Sequence, residues 1–395
     1  MKLRAIKPLT KDYMESIGFS WHTDPDAKDY VSSELVEVKQ SECEAYYAAA
    51  NELYDMFVEA AQHVIDNNLF YELGIPFNLI EPIKMSWENE VHWHLYGRFD
   101  LAGGLDGAPI KLIEFNADTP TCLFETAVLQ WAMLKFNALD EDLQFNNVYE
   151  ALAENFKRLV TLDEETESFN ESYEGWKILF SSIAGSKEDE QTVRLLESAA
   201  RDAGFETNFA FADEVEFNDE KGVFFGGENY EYWFKLIPWE SIGVEESELA
   251  MILTNIMKNQ SAIILNPAYT LLFQSKGIMK ILWDLYPNHP LLLESSFTPL
   301  EGKKQVRKPF LAREGANVSI LDADGREIQS NGGEYEDGKF LYQEFCEFNK
   351  NGDECYQAGV FFAWEACGLS FRKGGTILDN YSKFVGHIIK KGLFG

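Results

Sequence analysis

The segment Tyr96-Gly-Arg-Phe-Asp-Leu-Ala-Gly-Gly-Leu-Asp-Gly-Ala-Pro-Ile-Lys-Leu-Ile-Glu-Phe-Asn116 constrains the fold more than any other part of the chain. Two runs that alternate apolar and polar residues flank a glycine-rich centre, which is the pattern of an antiparallel ribbon. Side chains on a strand point to its two faces in turn, so Arg98 shares a face with Asp100 and Glu114 shares one with Asn116. Pairing the strands about Gly107 sets Asp100 opposite Glu114 and Arg98 opposite Asn116. The other face takes Phe99, Ile113 and Phe115 into a core. The chain has ample apolar material for one, since 46% of its residues are hydrophobic and 14% aromatic.

The polar face thus gathers two carboxylates, an amide oxygen and a guanidinium. Hard oxygen ligands of this kind suit Mg²⁺, which keeps several waters and shares its shell with substrate phosphates. A plainer reading is a solvated hairpin in which Arg98 pairs with Asp100 or Glu114, a contact worth ~0–1 kcal/mol. Against it stands the next segment, Asn116-Ala-Asp-Thr119-Pro-Thr121, which runs straight into a predicted helix. A helix N-terminus with hydroxyls beside it is an anion site. A cation site and an anion site this close together exceed what a decorative hairpin needs.

At roughly 100–200 residues per domain, 395 residues imply two or three domains. The spacing of Tyr46, Ala50, Leu53, Phe57, Ala61 and Val64 predicts a helix over about 41–70, and 122–162 is again helical. Lys177-Ile-Leu-Phe-Ser-Ser, a helix closed by Gly204, Gly222-Val-Phe-Phe and Ser261-Ala-Ile-Ile-Leu-Asn predict a small parallel sheet covered by helices. Beyond a helix at 277–285, the segments 306–311, 318–322, 340–345 and 360–364 read as antiparallel meanders with glycine turns. The expected units are 1–170, carrying the ribbon, 171–270, carrying the parallel sheet, and 271–395.

A second basic element lies in Lys308-Pro-Phe-Leu-Ala-Arg313-Glu-Gly315. Its loop backbone suits a polyphosphate, with Lys308 and Arg313 supplying charge. Neither a GxxxxGK[ST] loop nor a GxGxxG turn is present, which excludes the P-loop and Rossmann readings. Lys276 before a helix, Gln343 and Glu344 on a strand, and Arg372 at the end of the last strand pair complete what a two-sided ATP clamp needs.

The formal charge of −32 argues against nucleic acid and anionic membrane as partners and favours small cations. Five scattered cysteines fit a reducing compartment, no run is long and apolar enough for a membrane span, and the start is no signal peptide, so the cytoplasm is expected. Two lesser alternatives are a metal module on His92 and His94 and thiol chemistry at Cys122. Neither has further ligands or a base beside it in sequence.

The stretches Tyr96–Asp100, Glu114–Thr119, Gln274-Ser-Lys-Gly-Ile-Met-Lys-Ile-Leu-Trp283, Lys308–Gly315 and Tyr342-Gln-Glu-Phe345 resemble, in order, the ATP-grasp domain of the glutathionylspermidine synthase family. The resemblance implies a mixed α/β ATP-grasp fold with a preATP-grasp-like parallel-sheet domain, in a short form without the amidase domain. It implies Mg²⁺ on Asp100, Glu114 and Asn116, and ATP on Lys276, Lys308, Gln343, Glu344 and Arg372. Arg98 would steady the reacting carboxylate, with Arg313 in a mobile loop above it. Thr119 and Thr121 would hold a thiol-peptide acid, and the acidic stretch Glu188-Asp189-Glu190, specifically Asp189 and Glu190, a polyamine-like amine. The implied activity is ATP-dependent amide formation through an acyl phosphate, with closure of 313–317 and 331–338 excluding water. The alternative is a non-catalytic ATP-binding regulator that keeps the same shell.

Overall fold

The computed structural model describes residues 1–23, 28–163, 165–313, 315–333, 338–379 and 382–391. Its centre is the ribbon. Gly97–Ala102 and Lys111–Asn116 pair antiparallel with Arg98 against Asn116, Phe99 against Phe115 and Asp100 against Glu114. The turn demands glycine: Gly103 lies at φ 72 and a Cβ there would meet the Pro109 backbone, while one on Gly104, at φ 92, would enter the Tyr46 ring. After Asp100 a bulge shifts the register so that Leu101 faces Leu112. The bulge corrects one expectation: Leu112 is buried in the core, and Ile113 instead lines a cavity.

The ribbon continues into a larger antiparallel sheet in the order Lys383–Val385, Glu365–Gly374, Glu354–Ala363, Gly97–Ala102, Lys111–Asn116, with Asn349–Asn351 added to the third strand. Strands from the units expected at 1–170 and 271–395 together build this sheet. The helix Gln40–Asn67 covers its apolar face with buried Leu53, Phe57 and Ala61. Phe99 and Phe115 stack there at 3.8 Å, with Phe57 edge-on to Phe115 at 5.2 Å.

A second antiparallel sheet runs Ser295–Ser296, Phe340–Glu344, Gln305–Pro309, Ser319–Leu321, Glu327–Ser330. The parallel sheet has the order Ile263–Leu265, Tyr232–Lys235, Lys177–Ser182, Glu206–Phe211. Gly222–Phe225 is not among its strands and belongs to a small meander, 216–230. Its place is taken by Tyr232–Lys235, a fully buried strand whose short run lacks the alternation that marks half-buried strands. The helical stretch 122–162 is broken between Phe136 and Val148, and its first turn is a π-turn at Glu125–Leu129. Among the described residues no helix is long and apolar enough to cross a membrane, and none of the five cysteines is bonded to another.

Candidate active site

On the polar face of the ribbon, Arg98 forms a fork with Asp100, Nε donating to Oδ1 at 2.6 Å and Nη2 to Oδ2 at 3.0 Å. Its Nη1 donates to the Thr121 carbonyl at 2.6 Å, tying the strand to the loop that follows the ribbon. The ion pair of the plainer reading does exist, but it is buried at the wall of a cavity instead of solvated. Burial pushes the Asp100 carboxyl up, and the Arg98 charge and hydrogen bonds oppose that shift. Gly359, opposite Asp100 on the next strand, leaves room for the guanidinium stem, since a Cβ there would sit 3.2 Å from Arg98 Cδ. Asn116 Nδ2 lies 3.2 Å from Asp100 Oδ2 and 3.4 Å from Glu114 Oε1, so three oxygen-bearing side chains converge.

Glu114 joins this cluster to a second one. Lys276 Nζ contacts Glu114 Oε2 at 3.1 Å and donates to the Ala312 carbonyl at 2.7 Å. Lys308 Nζ donates to Gln343 Oε1 at 2.7 Å and to the Ile113 carbonyl at 3.1 Å. Burial alone would raise the Glu114 carboxyl, but Lys276 and Lys308 together hold it down to about 2. Burial pushes the Lys308 ammonium down to about 8, opposed by Glu114 and reinforced by Lys276. Two lysines from different layers thus face one carboxylate, a juxtaposition that costs free energy unless an anion enters.

Two adjoining cavities meet at Glu114, Gly315, Gln357 and Leu378. One, about 110 Å³, runs between the two antiparallel sheets. Val306, Val318, Ile320, Phe348 and Ile377 line it, with Lys276, Lys308, Gln343 and Glu344 also in its walls. Glu344 reaches Lys303 at 3.2 Å. The other, about 470 Å³, is polar and falls in the size range of small-molecule sites. Arg98, Asp100, Glu114, Asn116, Thr119, Thr121 and Arg372 line it on the sheet side, and Glu188 and Asp189 on the helix side.

The polar cavity is braced from the side of the parallel sheet. Asp118 and Lys235, both fully buried, pair at 3.1 Å, and Asp118 Oδ2 accepts from the Trp239 N–H at 2.8 Å. Thr119 Oγ1 accepts from Arg313 Nη1 at 2.6 Å, while Glu240 Oε1 accepts from Arg313 Nε at 3.1 Å and Nη2 at 2.6 Å. Gln274 Oε1 accepts from the Ala117 N–H at 3.0 Å, and its Nε2 lies 3.4 Å from Asn116 Oδ1.

Of the residues singled out from sequence, Arg98, Asp100, Glu114, Asn116, Thr119, Thr121, Arg313, Asp189 and Arg372 share the polar cavity. Lys276, Lys308, Gln343, Glu344 and again Glu114 share the apolar one. Arg372, expected among the ATP contacts, sits apart from the lysines and donates to the Asp379 and Ser382 carbonyls. Glu190 is a correction: helical rotation turns it from the cavity toward Arg194, 3.9 Å away, and Glu188 takes its place in the wall. Of 331–338, residues 334–337 lie outside the described residues, as does Glu314. Sequence reasoning missed Gln357, Glu240, Trp21 and Tyr30. Trp21 and Tyr30 both donate to the buried Glu125 Oε1 at 3.1 Å. Glu125 opens the π-turn, a deformation frequent at functional sites that hydrophobic periodicity does not reveal.

His94 is a buried imidazole bonded to Tyr54 and the Ala117 carbonyl, and no group of three or more His, Cys, Asp or Glu suited to a metal exists among the described residues. Cys122 is buried at the cavity wall with its thiol pushed up by burial, which disfavours a nucleophilic thiolate.

Over residues 1–390 the sequence matches the family described as glutathionylspermidine synthase preATP-grasp. A Haemophilus influenzae protein described as "Putative acid--amine ligase" is 30% identical over 401 residues, covering 96% of this chain and 97% of that protein. The bifunctional glutathionylspermidine synthetase/amidase of Escherichia coli is 25% identical over 371 residues, and the match spans 85% of this chain but 55% of that longer protein. A glutathione synthetase-like effector of Globodera pallida, solved in its apo form, shares the fold with a TM-score of 0.59 at 8% identity, covering 98% of this chain and 100% of that one. The chain belongs to the glutathionylspermidine synthase family and has the mixed α/β fold of its ATP-grasp carbon–nitrogen ligases.

Proposed function

We propose that this protein is an ATP-dependent carboxylate–amine ligase that joins a glutathione-like peptide acid to a polyamine-like amine through an acyl phosphate. The observation that carries the reading is the position of Glu114, one carboxylate shared by an apolar slot with two lysines and a polar cavity with three arginines. The slot suits an adenine between the sheets, and Lys276 and Lys308 suit phosphates at its polar end. Asp100, Glu114 and Asn116 fit Mg²⁺ by their chemistry: the two carboxylates converge and leave coordination positions for water and phosphate, and the Asn116 amide, whose Nδ2 now donates to both, would offer its oxygen once turned. Bound there, the ion would neutralise charge on the transferring phosphoryl group.

Arg98 and Arg372 supply the positive charge that a reacting carboxylate needs beside the phosphate donor. In the first step the terminal P–O bond of ATP breaks and a carboxylate oxygen takes the phosphoryl group, leaving ADP. In the second, the neutral amine nitrogen attacks the carbonyl carbon, phosphate leaves with the C–O electron pair, and the proton shed by the nitrogen passes to that phosphate. Glu188 and Asp189 draw a cationic amine to the opposite wall. Phosphoryl transfer asks for positioning and charge, not a protein nucleophile, and Cys122 in the cavity wall has its thiol pushed up by burial.

The test is ADP release from Mg²⁺-ATP against a grid of γ-glutamyl peptides and polyamines, with mass spectrometry for the amide. Acid- and amine-dependent ADP release supports the ligase. Saturable ATP binding with no turnover on any pair would return the chain to the non-catalytic regulator.

A further inference from the structure

The face of the central sheet opposite Arg98 and Asp100 opens into another cavity, of about 610 Å³, that the ligase reading does not use. Its walls are aromatic: Tyr54, Trp87, Trp93, Tyr269, Phe273 and Trp364. The rings are held in place before any ligand arrives. Trp87 Nε1 donates to Gln62 Oε1 at 2.7 Å and Trp93 Nε1 to Asn155 Oδ1 at 2.8 Å. Tyr54 stacks on Phe362 at 4.1 Å, and Trp87 meets Tyr269 edge-on at 5.2 Å.

Two exposed carboxylates, Asp55 and Glu90, stand at this cavity, and neither has a cationic partner among the described residues. The imidazoles do not offset them. His92 and His94 are each pushed down to about 4 by burial and are neutral at pH 7. Since the His94 Nε2–H donates to the Ala117 carbonyl at 3.0 Å, its Nδ1 accepts from the Tyr54 hydroxyl at 3.1 Å, which fixes the tautomer. Among the described residues Arg158 lies 5.1 Å from the Trp364 centroid, so a ring of this wall already takes a positive group. Trp364 itself is held at φ 71, in the left-handed region, where a large non-glycine side chain is rare.

We propose that this aromatic, carboxylate-edged cavity is a second ligand site, specific for a small organic cation with an apolar body. Ring faces attract ammonium and guanidinium groups, and locked rings lose little entropy on binding. The carboxylates add charge selection, and the −32 net charge raises local cation concentration. The proposal is independent of the ligase reading, because it involves neither the ribbon's polar face nor the lysines.

The probe is benzyltrimethylammonium, which cannot serve as an acylated amine, with benzyl alcohol as its neutral counterpart. The full chain is titrated with each by calorimetry, alongside Asp55→Asn/Glu90→Gln, Trp87→Leu and, as a control in the other cavity, Asp189→Asn. Saturable binding of the cation is expected. It should weaken about three- to tenfold in Asp55→Asn/Glu90→Gln and in Trp87→Leu, and stay unchanged in Asp189→Asn. Equal binding of benzyl alcohol, loss confined to Asp189→Asn, or no saturable binding overturns the proposal. So does sedimentation showing a dimer that Trp87→Leu dissociates, since the occupant would then be a second copy of the chain.

Discussion

Arg98→Ala tests the site most directly, because the side chain removed is paired with one that stays. Asp100 loses two charge-assisted hydrogen bonds, at 2.6 and 3.0 Å, and the Thr121 carbonyl loses one at 2.6 Å. Stripping one partner from a buried ion pair costs about 3–5 kcal/mol, because the remaining charge has no compensation. Asp100 can shed part of that cost by taking a proton. Its carboxyl is already raised from 3.8 by burial, and without Arg98 it rises further. A carboxyl that holds its proton more tightly folded than unfolded makes stability fall as pH climbs above 3.8. The Arg98→Ala deficit, read as the difference in Tm from wild type, should therefore be larger at pH 8 than at pH 5. The companion Arg98→Ala/Asp100→Ala removes the stranded charge and should recover much of the Tm. Turnover in Arg98→Ala should drop by about 10²–10³, the usual effect of losing a group that stabilises a transition state. ATP affinity should change little, since the lysines are in the other cavity. A single variant with wild-type Tm and turnover, or a double variant less stable than the single, refutes this account of the pair.

Three further outcomes follow from the same geometry. With Lys308 pushed down to about 8 by burial, its positive charge is lost as pH rises through that value, so the KM for ATP should increase between pH 7 and 9. Lys308→Arg should flatten that rise, and an identical pH profile in the variant would exclude Lys308 as its source. Gly315 sits at φ 70 with the Leu378 carbonyl where a Cβ would go, so Gly315→Ala should displace the loop shared by both cavities and raise the KM for ATP with little change in Tm; an unaltered KM counts against the loop's role. Lys235→Met leaves Asp118 fully buried with only the Trp239 N–H, and should cost about 3–5 kcal/mol, read as a lowered Tm; wild-type thermal stability would show the pair to be dispensable.

The ribbon was legible in the sequence because a strand's two-residue period leaves no freedom in which side chains share a face. Arg98, Asp100, Glu114 and Asn116 could be grouped from spacing alone, and three of the pairings follow from the symmetry of the run about its glycine turn. The bulge was not legible, since inserting one residue changes facing without changing composition, and so Ile113 went to the wrong side. Tyr232–Lys235 was missed for a related reason: a strand buried on both faces has no polar phase to read.

Local periodicity determines which residues of one segment point the same way, and here it reached as far as the polar face of the ribbon. It says nothing about which distant segment comes to stand opposite. That Lys276, Lys308 and Glu114 converge, that Glu188 replaces Glu190 in a cavity wall, and that Glu240 receives Arg313 are decided by how the three sheets pack. Burying a charge is tolerable only where packing brings a partner within hydrogen-bonding reach, and that partner is set by the assembled structure.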